Sequence, residues 1–552
     1  MNTFGKLREE QNPVLPAILE HLHQVEAKAG LPSTNSTAIE KLFPNTTGQP
    51  FLTFSKGGKG KEKAHRVGVV LSGGQAAGGH NVIVGLYDAL KKLHPDSELI
   101  GFLNGPSGII ENHSIILTED IVSLYRNQGG FDMIGSGRTK ISTEEQFAAS
   151  LETIKKHHLD GLVIIGGDDS NTNAALLAER IREQGIETSV VGVPKTIDGD
   201  LKNEHIEISF GFDTATKTYS HTIGNILRDA LSAGKYYFFI KLMGRSASHI
   251  ALECALQTHA NYTIIGEEVA ERGLTLRKLT DDICDMICAR ALQNKNFGAV
   301  LIPEGTIEFI PEVRKLIREL NLLLLPGNMH QKTIEHLDSR REKSDYVSGH
   351  LSKESSLCFL SMPMDIRMQL LMDRDPHGNV QVAKIETERL FIQMVKEELD
   401  RRKADKKYTG KFSVQPLFLG YEGRSCYPSL FDSTYCYALG HVAALLIDAG
   451  VTGYMASVQN LTLPCKEWTA GGIPITTMLT FEERHGEQVP VIEKALVDLK
   501  GRPFQVFKEN RDVWKLEDNY LYPGPIQFFG PYEITEATTV TLREERMAGS
   551  VC

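Results

Sequence analysis

The chain has little that would place it outside ordinary soluble chemistry. Its eight cysteines fall at 254, 284, 288, 358, 426, 436, 465 and 552, with no C-x-x-C pair and no zinc-type spacing. A disulfide scaffold and a thiolate metal centre are therefore not expected, and free thiols in a reducing compartment are. There is no excess of basic charge: a net charge of −10 and a pI near 6.0 argue against a dedicated nucleic-acid binder. No run of 18 apolar residues occurs, and the N-terminal stretch lacks the apolar core of a signal peptide, so the expected location is the cytoplasm. Nucleotide motifs are missing too. No G-x-G-x-x-G follows the first strand, which disfavours a nicotinamide dehydrogenase, and no glycine loop ends in Lys-Ser/Thr. No repeat of fixed period is present, which excludes a solenoid.

What is present reads as a large α/β protein. A hydrophobic share of 41% and a charged share of 24% suit a folded chain with a sizeable core. Residues 1–65 read as an extension: broken helical segments to about residue 30, a polar loop, then the lysine-rich "SKGGKGKEKAHR", a solvated loop. From Arg66 onward, short apolar runs end in glycine and are followed by helical spacing. They are "RVGVVLSGG", "LIGFLNG", "GLVIIGGDDS", "SVVGVPKTIDGD", "KYYFFIKLMGRS" and "FGAVLIPEG". That alternation predicts parallel sheets with helices on both faces, in two Rossmann-like domains. Amphipathic helices with charged faces fill 311–410, a mainly helical insertion that includes "PEVRKLIRELNLLL", "PMDIRMQLLMDRD" and "KIETERLFIQMVKEELDRRK". The expected division is 1–65, 66–205, 206–435 with the insertion, and 436–552 returning to both domains.

Ligands of open parallel sheets collect beyond the carboxyl ends of the strands. Gly73 and Gly74 let backbone approach an anion, with a helix starting near His80 behind them, although a tight packing turn would look the same. Asp168 and Asp169 follow Gly166 and Gly167. One carboxylate could simply cap the next helix, whereas Mg²⁺ takes one or two carboxylates and fills its shell with phosphate oxygens. In "PKTIDGD", Lys195, Thr196, Asp198 and Asp200 combine a cation with a candidate base, against the plain reading of an Asp-Gly turn. Arg138, Lys140, Arg245 and Arg424 could grip phosphate, though a lone arginine is more often a surface ion pair.

Taken together and in order, "SGGQAAGGHN", "GGDDS", "PKTIDGD", "MGRSASHIALECAL", "PEG" and "YEGRSCYPSLFD" resemble the phosphofructokinase family over about residues 66 to 475. The length and the helical insertion are similar to its long pyrophosphate-dependent members. The resemblance implies Mg²⁺-dependent, reversible phosphoryl transfer from pyrophosphate to fructose 6-phosphate, a step of glycolysis and gluconeogenesis. It implies donor contacts from Gly73, Gly74 and Arg138, a metal ligand in Asp168, and a base in Asp198 with Lys195 and Asp169 beside it. Sugar phosphate would be bound by Thr196, Ile197, Asp198, Met243, Gly244, Arg245, Glu304, Tyr421, Glu422, Gly423 and Arg424. Lys235 and Tyr236 correspond to residues lent by a neighbouring subunit, so the resemblance implies a homodimer with a shared active site.

Two departures from the ATP-using members stand out: Asp169 replaces the glycine of Gly-Gly-Asp-Gly, and Lys195 replaces a small residue. By resemblance, Asp169 would occupy the place of the α-phosphate of ATP. Two like charges ~4 Å apart at an effective dielectric of ~20 repel by about 4 kcal/mol, close to a thousandfold in affinity. Pyrophosphate has no third phosphate to collide. The alternatives are an ATP-dependent 6-phosphofructokinase and a non-catalytic regulatory subunit of the same fold, the latter opposed by the intact Asp168, Lys195 and Asp198.

Overall fold

A computed structural model describes the chain except residues 1–7, 9, 59–62, 326, 373–379, 485–486, 527, 529 and 550–552. Part of the lysine-rich stretch and the end of "PMDIRMQLLMDRD" thus lie outside the described residues. The chain forms two compact units. Unit 1 is Met1–Thr218, Tyr421–Ala495 and Ile526–Arg546; unit 2 is Tyr219–Gly420, Leu496–Pro525 and Met547–Cys552.

In unit 1 the first strands are β1 (Val25–Pro32), β2 (Pro50–Lys56), β3 (Arg66–Leu71), β4 (Glu98–Phe102), β5 (Ser114–Leu117), β6 (Gly161–Gly166), β7 (Ser189–Thr196) and β8 (Phe210–Gly211). In unit 2 they are β9 (Lys235–Leu242), β10 (Tyr262–Thr263), β11 (Asn296–Pro303) and β12 (Val414–Leu419). The chain then returns to unit 1 with β13 (Tyr454–Gln459), β14 (Thr469–Pro474), β15 (Leu479–Arg484) and β16 (Glu487–Ile492). The large sheet of unit 1 runs β1-β2-β14-β13-β7-β6-β3-β4-β5, with β8 on β7. Its middle, β13 to β4, is parallel, as the alternating pattern predicts, but β1, β2, β14 and β5 pair antiparallel and flank it. β3 and β6 show why the middle reads as unbroken apolar runs: Val67 to Leu71 and Gly161 to Gly166 are all buried.

The segment read as a broken helical extension behaves differently. After two short 3₁₀ turns, "VEAKAGLP" is β1, with Val25 opposite Lys56. Glu, Ala and Lys favour helix locally, and pairing with β2 overrides that preference.

Helix α1 (Gly79–Leu93) follows β3, α2 (Asp168–Glu183) follows β6, and α3 (Phe212–Ala233) leads the chain into unit 2. In unit 2, α4 (Pro311–Leu323) and α5 (Thr387–Ala404) belong to the helical insertion. α4 starts with proline in its first turn and buries Val313, Leu316, Ile317, Leu320 and Leu323, one stripe of its surface. Back in unit 1, α6 (Leu430–Asp448) is long and apolar enough to span a membrane, yet its apolar window is wholly buried inside the protein. It lies backbone to backbone on α1. A Cβ on Gly440 would meet the Val82 carbonyl at 2.3 Å, and one on Gly85 the Tyr437 carbonyl at 2.3 Å.

The four strands of unit 2 are all parallel, in the order β10-β11-β9-β12. Buried Lys241 on β9 ties this sheet to the insertion, donating to the carbonyls of Ile385 (3.0 Å) and Ala383 (3.3 Å). The seven described cysteines are free, five of them buried.

Candidate active site

Three neighbouring strands of unit 1 end level with one another: Leu71 of β3 pairs with Ile165 of β6, and Gly166 with Pro194 of β7. The turns that leave them are held tightly. Ser72 N donates to the Ile165 carbonyl at 2.8 Å and Gly73 N to the Gly137 carbonyl at 2.9 Å, while Ser170 Oγ donates to Ser72 Oγ at 2.8 Å. Gly73 has φ +87°. A Cβ on it would stand 3.3 Å from Lys195 Nζ, one on Gly167 4.0 Å from the same nitrogen, and one on Gly74 3.5 Å from a terminal nitrogen of Arg138. The Lys195 ammonium therefore sits between the two glycine turns, with the Arg138 guanidinium alongside.

Lys195 is itself buried. Loss of hydration pushes its ammonium down to about 8, opposed by the carboxylates of Asp168 and Asp198, lowered further by Arg138 and raised again by Asp200. These five charged groups, three acidic and two basic, gather beside the glycine turns.

The paired aspartates open α2, and neither caps it. The capping position is Gly167, which has no side chain to bond with, and Asp168 and Asp169 occupy the first turn. The capping explanation for two carboxylates thus fails. Asp168 is half-buried and its Oδ2 lies 3.4 Å from Lys494 Nζ. Asp169 is exposed. A water-facing charge is better screened than a buried one, so a like charge ~4 Å from this carboxylate would be repelled by between ~1 and ~4 kcal/mol.

The loop after β7 is a turn, and the turn presents a carboxylate. Gly199 at φ +75° supplies the reversal, Asp198 N donates to Thr196 Oγ1 at 3.0 Å, and Thr196 Oγ1 donates to Asp200 Oδ1 at 3.3 Å. Ile197 is buried and packs toward Gly211, where an added Cβ would stand 3.3 Å from Ile197 Cγ2 and 2.6 Å from the Ala76 Cβ. Gly211 pairs with Thr196, and its N–H donates to Asp432 Oδ1 at 3.1 Å. Asp432 Oδ2 also accepts from Thr214 N (2.9 Å) and Thr214 Oγ1 (2.5 Å). Asp213, likewise fully buried, accepts from Lys217 Nζ (2.7 Å) and Ser429 Oγ (2.6 Å). Burial and the neighbouring Asp213 push the Asp432 carboxyl well above the usual carboxylate range.

The start of α1 belongs to packing. Added side chains on Gly78 and Gly79 would strike Cys436 Sγ at 2.4 Å and the Phe131 ring at 2.2 Å. Tyr421 to Ser425 form a short helix in unit 1, docked through Ser425 Oγ to Gln75 Oε1 at 2.5 Å. Arg424 lies over the Tyr421 ring at 4.9 Å; Tyr421 and Glu422 are exposed, Gly423 buried.

In unit 2, Met243, Gly244 and Arg245 leave β9 beside Glu304, which leaves β11. Glu304 N donates to the Leu242 carbonyl at 2.8 Å, and Gly244 has φ +117°. Gly305 is packed so closely that a Cβ would stand 1.9 Å from the Arg245 carbonyl. Arg245 is exposed and lines a groove with Arg314 and Arg318. Lys235 and Tyr236 are not brought to this place. They begin β9, roughly 23 Å of strand away from its end, with Lys235 Nζ 5.1 Å from the centre of the Tyr236 ring and Tyr236 strained at φ +76°.

The profile of the phosphofructokinase family matches residues 66–447. The chain belongs to the phosphofructokinase family. It is 52% identical, over 99% of its own length and 98% of the relative's, to a protein of Treponema pallidum named pyrophosphate--fructose 6-phosphate 1-phosphotransferase. A protein of the same name from Entamoeba histolytica is 46% identical over 99% of this chain and all of its own length. A crystal structure titled as a pyrophosphate-dependent phosphofructokinase from Nitrosospira multiformis shares the fold, with a TM-score of 0.52 and 16% identity over 75% of this chain and 84% of that one. The glycine turns, Asp168, Lys195 and Asp198 all lie inside the family segment, whereas Lys494 lies beyond it.

Sequence reasoning missed Lys494, the Ser72–Ser170 pair, Gln75 and the Asp213–Asp432 pair. Ser170 closes the quoted "GGDDS" and Asp432 ends "YEGRSCYPSLFD", so their motifs were visible. Lys494 carries no local signal at all.

Proposed function

We propose that this chain transfers a phosphoryl group from pyrophosphate to the C1 oxygen of fructose 6-phosphate, giving fructose 1,6-bisphosphate and orthophosphate, reversibly. The observation that carries this reading is the Lys195 ammonium lodged between the Gly73 and Gly167 turns beside Asp168. A buried cation there suits a compact, highly charged inorganic donor. Mg²⁺ is the fitting metal: a half-buried carboxylate that already attracts an ammonium at 3.4 Å is the single-carboxylate kind of site at which phosphate oxygens complete the shell. Among the described residues no three His, Cys, Asp or Glu side chains gather as a metal site. Bound at Asp168, Mg²⁺ would neutralise charge on the donor oxygens.

The chain's own residues do the rest. Gly73, Gly74 and Arg138 hold the donor. Asp198, presented by the Gly199 turn, takes the C1 hydroxyl proton as the new O–P bond forms and the bridging P–O bond breaks, and orthophosphate departs. Lys195 stabilises charge on the transferring group, since such transfer depends on positioning and electrostatics. Asp169 discourages nucleotide donors. Thr196, Ile197, Met243, Gly244, Arg245, Glu304, Tyr421, Glu422, Gly423 and Arg424 are assigned to the sugar phosphate. Lys235 and Tyr236, standing at the far end of β9, are assigned to the site of a partner in a homodimer, and the enzyme to the cytoplasm. Product formation by the purified chain with pyrophosphate, fructose 6-phosphate and Mg²⁺ tests the reading; Asp198→Asn is expected to lose about 10²- to 10⁴-fold in kcat, and an active Asp198→Asn enzyme would remove the base.

A further inference from the structure

Residues just after β16 thread between the two loops that carry the proposed metal ligand and the proposed base. On one side, Ile492 N donates to Thr172 Oγ1 at 3.2 Å, and that hydroxyl donates to the Asp168 carbonyl at 2.9 Å. On the other, Ala495 N donates to the Asp200 carbonyl at 2.8 Å. The segment is thus pinned at both ends, and Lys494 between them reaches Asp168 Oδ2 at 3.4 Å with about 29% of its side chain exposed. Asp168 therefore faces two ammonium groups: buried Lys195 and, toward solvent, Lys494.

A magnesium ion binds carboxylate oxygen at about 2 Å, and it cannot share that oxygen comfortably with an ammonium only a few ångströms off. Lysine has a flexible four-carbon stem and three rotatable donors, so it can change partners without moving its backbone. The metal arrives with a donor rich in oxyanions, which offers the displaced ammonium a new partner in the same place.

We propose that Lys494 is a further donor-binding residue, paired with Asp168 in the free enzyme and transferred to a pyrophosphate oxygen when metal and donor bind. The inference rests on the reading that Asp168 takes the metal and pyrophosphate is the donor. It couples the two ligands: each one weakens the Lys494–Asp168 pair and so favours the other.

The test uses full-length Lys494→Met and Lys494→Arg, with Mn²⁺ alone as the metal probe, followed by electron paramagnetic resonance. Lys494→Met is expected to bind Mn²⁺ about threefold to tenfold more tightly than wild type, while its KM for pyrophosphate rises about tenfold or more and its KM for fructose 6-phosphate stays within about twofold. Lys494→Arg keeps the donor KM near wild type. Unchanged Mn²⁺ affinity together with an unchanged donor KM, or an equal rise in both KM values, overturns the proposal. If instead Asp168→Asn binds Mn²⁺ as well as wild type, or wild type does not use pyrophosphate, the underlying reading fails and not merely the role of Lys494.

Discussion

A methyl group on Gly73 would stand 3.3 Å from the ammonium nitrogen of Lys195. That closeness brings the turn after β3 to the end of β7, where the donor is proposed to lie. Gly73 is needed twice over, for its φ of +87° and for the space above it. Gly73→Ala is expected to cost about 1 kcal/mol of stability and to raise the KM for pyrophosphate while leaving that for fructose 6-phosphate near wild type. Denaturant titration and steady-state kinetics on the same preparation check both halves.

Lys195 is held charged where burial opposes charge, with its ammonium brought down to about 8. In the free enzyme kcat/KM for pyrophosphate should therefore fall as pH rises through about 8, as the proton is lost. The linkage to stability has the opposite sense. Between about 8 and the ordinary lysine value the unfolded chain holds more protons on this group, so wild-type stability gains with pH across that window. Lys195→Met should abolish this gain, melt at a higher temperature at pH 7 by up to about 3 kcal/mol in stability, and lose about 10²- to 10³-fold in turnover.

Asp432 and Asp213 bury two carboxyls behind the Thr196 loop, and the proton that burial and the neighbouring Asp213 hold on Asp432 belongs to the fold. With Asp432 raised to about 7, the folded protein retains a proton that the unfolded chain loses near the ordinary carboxylate value. Its stabilising contribution is complete below that value and is lost as pH rises through about 7. Asp213→Asn removes the neighbouring charge, leaving Lys217 close by, and should flatten the fall in stability between pH 5 and 8 by about 2 kcal/mol. Urea midpoints at several pH values measure it; a slope equal to wild type would mean that Asp213 does not raise the Asp432 carboxyl.

Much of this arrangement is legible in the sequence because the parallel centre of the sheet writes itself locally. The runs ending at Leu71, Gly166 and Thr196 are apolar on both faces and stop at glycine or charge, so the strand ends and the residues beyond them can be read without a structure. The flanks cannot. "VEAKAGLP" becomes β1 only because β2 is there to pair with it, and β14 joins antiparallel from more than 400 residues away in the chain. The roles of Gly78 and Gly79 were also hidden, since nothing near them announces Cys436 and Phe131. Lys494 reaches Asp168 across more than 300 residues of sequence, and Asp432 meets Gly211 across 221. Long-range pairings of charge leave no periodic trace, so chemistry assembled by them appears only once the chain is folded.

Gly305 sets the height of the Arg245 backbone. Its φ of −76° is ordinary, so the cost of a side chain there is purely steric, a Cβ at 1.9 Å from the Arg245 carbonyl. Gly305→Ala must displace the Met243–Arg245 turn or Glu304. The expected outcome is a destabilisation of about 1 to 3 kcal/mol and a KM for fructose 6-phosphate raised at least about tenfold, with the pyrophosphate KM little changed. A rise confined to the pyrophosphate KM would separate this turn from the sugar phosphate.

Whether the Asp168–Asp169 turn and Lys195 select an inorganic donor is decided by initial rates of fructose 1,6-bisphosphate formation with pyrophosphate and with ATP, side by side at saturating Mg²⁺, for wild type and Asp169→Gly. Wild type is expected to turn over with pyrophosphate alone, and Asp169→Gly to gain about fivefold to a thousandfold in relative use of ATP. Wild-type turnover with ATP at a rate comparable to pyrophosphate, or an Asp169→Gly enzyme with an unaltered donor ratio, would show that these residues do not choose the donor.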